Sequence, residues 1–398
     1  MFRCAASSPA PGTSCFPGIS FSKTDSQALH YICRTTGVYI KHTGMKTLLF
    51  FAFSLSQLFL ISSRLSAQVD SSRNIFSRLQ QFEPLDVVIE TDIKQLKSEA
   101  GAEKKWQSGV FKIMKDKTVV FEQKIQVSAR GNMRRKTCDF PPVKIRFYEG
   151  DLENDSIEDI NALKLVIGCR NSNVDDQLVL KECLTYKLYN LFTEESFRVK
   201  EASVRIQTPG KKKGGLVSTA FFIESEQELA TRLGGRPVKP RIISPKGLDS
   251  IAYDRMCLFQ FMIGNTDWGA YTRHNMKVIG FKGRPAIAVP YDFDYSGLVA
   301  ADYAIPSKDL PLQNVQERYY LGLCRTAASY NQLCKEFLAK KPEVLDLCNK
   351  AANIEKANRR QMQVYLKEFF SIIEDPRKAQ KLILENCDKR IRKDTKEE

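Results

Sequence analysis

Several segments between Leu85 and Phe147 alternate apolar and polar residues, whereas most of the sequence beyond Leu248 sets its apolar residues at helical spacing. No single regular element satisfies both periods, so a sheet-rich part is followed by a helical one. The segments "PLDVVIETDI", "GVFKIMKDKTVVFEQKIQVSARG" and "PPVKIRF" alternate β-branched or aromatic residues with polar ones. They predict a mostly antiparallel sheet whose long hairpin turns at Lys115 to Thr118. A second hairpin, "ASVRIQ" and "LVSTAFFIE", flanks "TPGKKKGG". Before it, residues 175–192 place Leu180, Leu184, Leu188 and Phe192 four apart behind an acidic start, which predicts an amphipathic helix. Ser225 and Glu228 form a capping box for the following helix. "LDSIAYDRMCLFQFMIG" predicts a helix stopped by Gly264, and residues 309–390 read as successive helices beginning with "LQNVQERYYLGLC". The expected class is α+β, with a hinge near Arg241 to Gly247.

The first 67 residues have a different character. Met45 and Lys46 make a short basic start, Thr47 to Ile61 an apolar core, and Leu65-Ser66-Ala67 a small-residue cleavage site. This is the pattern of a secretory signal peptide beginning at Met45, after an upstream extension. The core is shorter than the roughly 20 residues of a membrane span. The expected mature protein begins near Gln68, is exported to the periplasm, cell envelope or exterior, and has no stable transmembrane anchor. Residues 68–240 form its sheet-rich part and 241–398 its helical part.

At 398 residues, 43% hydrophobic and 27% charged, the composition is globular. Losing the leader lowers the net charge from +15 to about +10. The basic residues are dispersed and no nucleic-acid motif accompanies them, so a nucleic-acid partner is not expected. Eight cysteines remain, none in a CxxC pair, which argues against thioredoxin-type and ordinary zinc sites. Cys324, Cys334 and Cys348 are candidates for pairing, while Cys183 and Cys257 lie on apolar helical faces as buried thiols.

The chemistry concentrates in "GNTDWGAYTRHN", Gly264 to Asn275, and in "PYDFDYS", whose Asp292 lies seventeen residues after Asn275. His274 is the one histidine after the leader, so a multi-histidine metal site is excluded, and no GxSxG elbow supports a serine triad. The remaining groups are oxygen donors: Asn265, Asp267, Asn275, Asp292 and Asp294. Such donors suit Mg²⁺ or Mn²⁺, which share their coordination with phosphate and water. Phosphoryl transfer needs a carboxylate to orient the nucleophile, an amide and a carboxylate on the metal, and a cation on the phosphates. Asp267, Asn275, Asp292 and a lysine from the sheet-rich part supply them in that order, with "MKVIGFKGRPAIAVPYDFD" predicted as a strand pair that carries Asp292 back to Asn275.

"FQFMIGNTDWGAYTRHN" followed by "IAVPYDFDYSG" resembles the spore-coat CotH-type kinases, an atypical branch of the protein-kinase-like fold. "ARGNMRRKTCDFPPVKIRF" is similar to that family's RGN turn and lysine strand, and "FFIESEQ" to its strand near the nucleotide hinge. The resemblance spans about Leu85 to Leu310 and is most specific over 259–297. It implies a two-lobed fold with an antiparallel sheet-rich N-lobe and a helical C-lobe, and an ATP-dependent phosphotransferase acting on an unidentified protein or small-molecule hydroxyl. By resemblance Asp267 is the catalytic carboxylate, with His274 orienting it or packing beneath it. Asn275 is the amide metal ligand, and either Asp292 or Asp294 the acidic one. Lys144 resembles the phosphate-binding lysine, paired with Glu182, or with Asp176 or Glu194 instead. Arg130 and Gly131 resemble the turn over the phosphates, with Arg134 and Arg135 adding either charge there or only solubility, and Glu224 lies at the hinge. Trp268 departs from the family, which often has arginine after the catalytic aspartate, and no G-x-G-x-x-G loop is present. Two further functions fit the residues: a kinase-like envelope scaffold without turnover, and a hydrolase using Asp267 and Asp292 as an acid and base pair.

Overall fold

The computed structural model describes residues 75–98, 105–130, 138–147, 162–170, 172–211, 215–239 and 243–387. The expected leader, Gly131, Arg134, Arg135 and residues 241–242 of the expected hinge lie outside the described residues. All described residues belong to one compact unit, Ser71–Glu398.

Helix α1 (Ile75–Gln80) precedes β1 (Asp86–Thr91), and a short α2 (Ile93–Ser98) leads to β2 (Gln107–Lys115) and β3 (Thr118–Ala129). β4 (Val143–Phe147) and β5 (Ala162–Ile167) follow, then α3 (Asn173–Asn190), β6 (Val199–Gln207) and β7 (Leu216–Ile223). The seven strands close into a barrel in the order β1-β2-β3-β4-β5-β7-β6. Every neighbouring pair is antiparallel except the closing one, where β1 runs parallel to β6. Alternation then sorts the side chains. Ile89, Phe111, Val127, Ile145, Leu163, Leu165 and Phe222 fill the interior, with Phe111 edge-on to Phe147 at 4.9 Å and to Phe222 at 6.0 Å.

The outward residues Val166, Phe221 and Ile223 join a second core, which continues through α3 into the helical part. There α4 (Glu226–Arg232) starts at the capping box, Ser225 Oγ accepting from Glu228 N and Glu228 Oε2 from Ser225 N. β8 (Arg236–Val238) borders β9 (Met276–Gly280) and β10 (Ile287–Pro290) in a three-stranded sheet. The helices α5 (Ser250–Ile263), α6 (Ala327–Lys350), α7 (Lys356–Glu374) and the short α8 (Pro376–Ala379) complete the unit. Among the described residues no helix is long and apolar enough to cross a membrane.

This architecture corrects the expected two-lobed kinase-like fold. A closed, mixed barrel replaces the open antiparallel N-lobe, and one apolar core runs from the barrel's outer face through α3 to α7. Strand alternation is the same in an open sheet and a barrel. What closes the sheet is the pairing of Asp86–Glu90 with Ser203–Gln207, segments too far apart in sequence for a local pattern to register.

Two smaller expectations also change. Residues 312–324 are not helical but irregular. Arg318 anchors them by donating to the carbonyls of Met262 and Tyr365, and Tyr320 is fully buried, so tertiary contacts override the periodicity. The disulfides are Cys138–Cys169 and Cys324–Cys387, whereas Cys334 and Cys348 are buried thiols like Cys183 and Cys257.

Candidate functional site

Helix α5 begins at an Asp249 cap, whose Oδ1 accepts from Ala252 N at 2.9 Å, and ends at Gly264 with φ 63°. A side chain there would collide with the Tyr365 hydroxyl, so glycine serves both the left-handed backbone and the close approach. Asn265 is buried directly after it, donating to Gln260 Oε1 at 3.0 Å and accepting from Asp267 N at 3.0 Å. That bond fixes the direction in which Asp267 leaves the helix.

The Asp267 carboxylate is held at both oxygens. His274 Nε2 lies 2.9 Å from Oδ1, and Asn275 Nδ2 donates to Oδ2 at 2.9 Å and to the Asp267 carbonyl at 2.8 Å. The segment between them is a tight turn joined by Gly269 N to His274 O at 3.2 Å and His274 N to Gly269 O at 2.9 Å. Asp267 and His274 keep 38% and 55% of their side-chain surface exposed, so this pair faces solvent. Trp268 instead turns into the core, edge-on to Tyr253 at 6.4 Å.

The β9–β10 hairpin forms as predicted, pairing Met276 with Pro290, and Tyr291 N donates to Asn275 O at 3.0 Å. This register pairs Asn275 with Tyr291, so Asp292 follows one residue beyond that pair. Asp292 N donates in turn to the buried Tyr186 hydroxyl of α3 at 2.8 Å. Asp294 is buried and accepts from the Tyr303 hydroxyl at 3.0 Å. The two acidic segments meet again where Gly297 N donates to Gly264 O at 3.1 Å and Leu298 N to Ile263 O at 2.9 Å. Arg273, Asn275 and Asp292 all have positive φ, at 54°, 50° and 67°. Strained non-glycine backbone concentrates at functional sites.

Cations line the barrel side. Lys164 of β5 is half-buried with its Nζ 4.4 Å from the centre of the Tyr291 ring, and Lys277 lies 5.5 Å from the same ring. Lys277 also pairs with Glu226 at 3.2 Å. Burial pushes the Lys164 amine down to about 7, assisted by repulsion from Arg130 and Lys277 and opposed by Asp292 and Glu226. Arg130 is half-buried at the end of β3, its backbone N donating to Pro142 O at 2.8 Å.

Lys144 stands directly across the strand pair from Lys164, with its Nζ 5.8 Å from the Trp106 ring. Glu182 is buried on α3 one turn before Tyr186. Glu224 is buried between two arginines, accepting from Arg198 Nη2 at 2.7 Å and Arg232 Nη2 at 3.0 Å, while its backbone N donates to Arg198 O. Asp176 accepts from Ser218 Oγ and Thr219 N at 2.9 and 3.0 Å, and Glu194 is a surface partner of Arg232. The structure thus brings together Asp267, His274 and Asn275, sets Asp292 one residue beyond the Asn275–Tyr291 backbone pair, and adds Lys164, Lys277, Tyr291 and Tyr186, which sequence reasoning missed. Lys164 had a signal: it is the one charged residue in the apolar strand "ALKLVI". No model of a known protein family matches this chain, and no curated protein matches it.

Proposed function

We propose that the site transfers the γ-phosphoryl group of ATP to a hydroxyl acceptor, in an exported protein. The observation that carries this is the Asp267 carboxylate, oriented at both oxygens by His274 and Asn275, with Asp292 following the Tyr291 that the hairpin pairs with Asn275. Asp267 is exposed enough to meet an incoming hydroxyl and accept its proton as the acceptor oxygen bonds to the γ-phosphorus and the β–γ bridging bond breaks, releasing ADP. The His274 contact fixes which lone pairs Asp267 presents. Lys164, with Lys277 and Arg130, supplies the positive charge for the phosphates, a role that resemblance gave to Lys144.

Among the described residues no three His, Cys, Asp or Glu side chains form a metal cluster. An amide oxygen from Asn275 and the Asp292 carboxylate still fit a hard dication such as Mg²⁺ or Mn²⁺ that takes its other ligands from phosphate and water. Such an ion would neutralise charge on the β- and γ-phosphates. Asp294, whose carboxylate accepts from Tyr303, is the second acidic candidate. The two disulfides agree with export, since such bonds persist in oxidising compartments.

Titration of the parent protein, Lys164→Met and Lys144→Met with ATP and Mg²⁺ or Mn²⁺ tests the phosphate assignment. Binding lost in Lys164→Met and largely kept in Lys144→Met is the expected result. Equal binding by the parent and Lys164→Met would overturn the assignment.

A further inference from the structure

The Tyr291 ring is met by two lysines that come from different sheets. Lys164, on strand β5 of the barrel, places its Nζ 4.4 Å from the ring centre, and Lys277, on β9 of the three-stranded sheet, places its own 5.5 Å away. Both distances are those of a cation–π contact. Among the described residues one other ring meets two cations: Trp106 has Lys144 at 5.8 Å and Arg146 at 4.3 Å, but both stand on the single strand β4. Tyr291 instead joins a cation of the barrel to a cation of the helical part. Its ring is itself fixed, edge-on to the buried Phe197 at 6.3 Å, while its backbone N donates to Asn275 O at 3.0 Å. The charges acting on the Lys164 amine are Arg130 and Lys277, which repel it, and Asp292 and Glu226, which attract it. Glu226 is engaged by Lys277 at 3.2 Å. Two ammonium groups drawn to one ring oppose each other, and the attraction of each to the ring offsets part of that repulsion. An anion with more than one charge would relieve the rest.

We propose that Tyr291 is a positioning residue that holds Lys164 and Lys277 together as a two-lysine clamp for the polyphosphate chain of the nucleotide; this rests on the phosphate-binding part of the phosphotransferase reading. Linked phosphates carry several negative charges side by side and engage both amines at once. A single phosphate engages them less completely, so the clamp selects polyphosphate over orthophosphate. The tyrosine acts through its ring, not through its hydroxyl.

Binding of inorganic tripolyphosphate and of orthophosphate, each with Mg²⁺, is measured by calorimetry beside phosphoryl transfer from labelled ATP. The proteins are the parent, Tyr291→Phe, Tyr291→Leu, Lys164→Met and the double variant. The parent is expected to bind tripolyphosphate at least about tenfold more tightly than orthophosphate. Tyr291→Leu should weaken tripolyphosphate binding by about tenfold and raise KM for ATP by a similar factor, with kcat changed by less than about twofold. Tyr291→Phe keeps the ring and should stay within about threefold of the parent. In the Lys164→Met background the Tyr291→Leu change should cause less than about threefold further loss, because one of the two contacts is already gone; general disruption would repeat its loss in full. Equal tripolyphosphate affinity in the parent and Tyr291→Leu, equal losses in the Phe and Leu variants, or the full loss repeated in the Lys164→Met background overturns the inference alone. If the binding pattern holds and the folded parent transfers no phosphoryl group, the clamp stands and the phosphotransferase reading falls. A folded parent that binds no tripolyphosphate overturns the inference, and the transfer assay then decides the phosphotransferase reading by itself.

Discussion

Asp292 is tied to Tyr186 through its backbone: the Asp292 N–H donates to the buried tyrosine hydroxyl at 2.8 Å, and the Tyr186 ring packs edge-on against Phe293 at 4.6 Å. Helix α3 therefore sets the position of the second acidic segment, and Asp292 is held there at φ 67°. Tyr186→Phe removes the acceptor while leaving the ring. The buried N–H then lacks its partner, a loss of about 1–3 kcal/mol in unfolding free energy, measurable by denaturant titration. ATP turnover in the same variant should fall more than its stability does, because the residue released is the one that follows the Asn275–Tyr291 pair.

Gly264 and Gly297 meet beneath the Tyr365 hydroxyl, where the two acidic segments cross. Gly264→Ala adds both a left-handed alanine and a collision with that hydroxyl. It should destabilise the protein by about 2 kcal/mol or more, read from the denaturation midpoint. A variant as stable as the parent would show that this corner yields easily.

Lys164 makes stability depend on pH in a direction that can be checked. Its folded-state value of about 7 lies below its ordinary 10.5, so between these limits the unfolded chain binds more protons and stability rises with pH. Below about pH 7 both states are protonated and the full unfavourable contribution is present. The difference in unfolding free energy between the parent and Lys164→Met should change across this window by up to about 1.4 kcal/mol per pH unit. A difference flat from pH 7 to 10 would contradict the assigned environment.

Glu224 separates a structural carboxylate from those of the proposed site. Its side chain is fully buried between Arg198 and Arg232. Glu224→Ala leaves two arginines without their shared acid and should cost about 3–5 kcal/mol. Nucleotide affinity of the fraction that remains folded should stay near the parent's.

Local features were legible where local physics decides them. The hairpin turn at Lys115 to Thr118, the Ser225–Glu228 box, the Gly264 stop and the β9–β10 pair all follow from turn chemistry and periodicity within a dozen or so residues. The nearness of Asp267, His274 and Asn275 was legible for the same reason, since all three fall within nine residues. Barrel closure was not, because the β1–β6 register depends on residues far apart in sequence. The surroundings of Lys164 were not legible either: it stands opposite Lys144 on the adjacent strand, and its contact with Tyr291 depends on the distant β9–β10 hairpin. Cys324 pairs with Cys387 rather than with its sequence neighbours because helix packing, not spacing, sets which thiols approach.

The most direct measurement is transfer of the labelled γ-phosphoryl group from ATP, with Mg²⁺ or Mn²⁺, by the protein from Gln68 onward and by its Asp267→Asn variant. Asp267→Asn keeps the side chain's shape and removes its proton-accepting charge. Transfer by the parent, to itself or to a peptide, with a drop of about 10²-fold or more in the variant is the predicted result. Equal rates in the two proteins, or no transfer by a folded parent, would contradict the account.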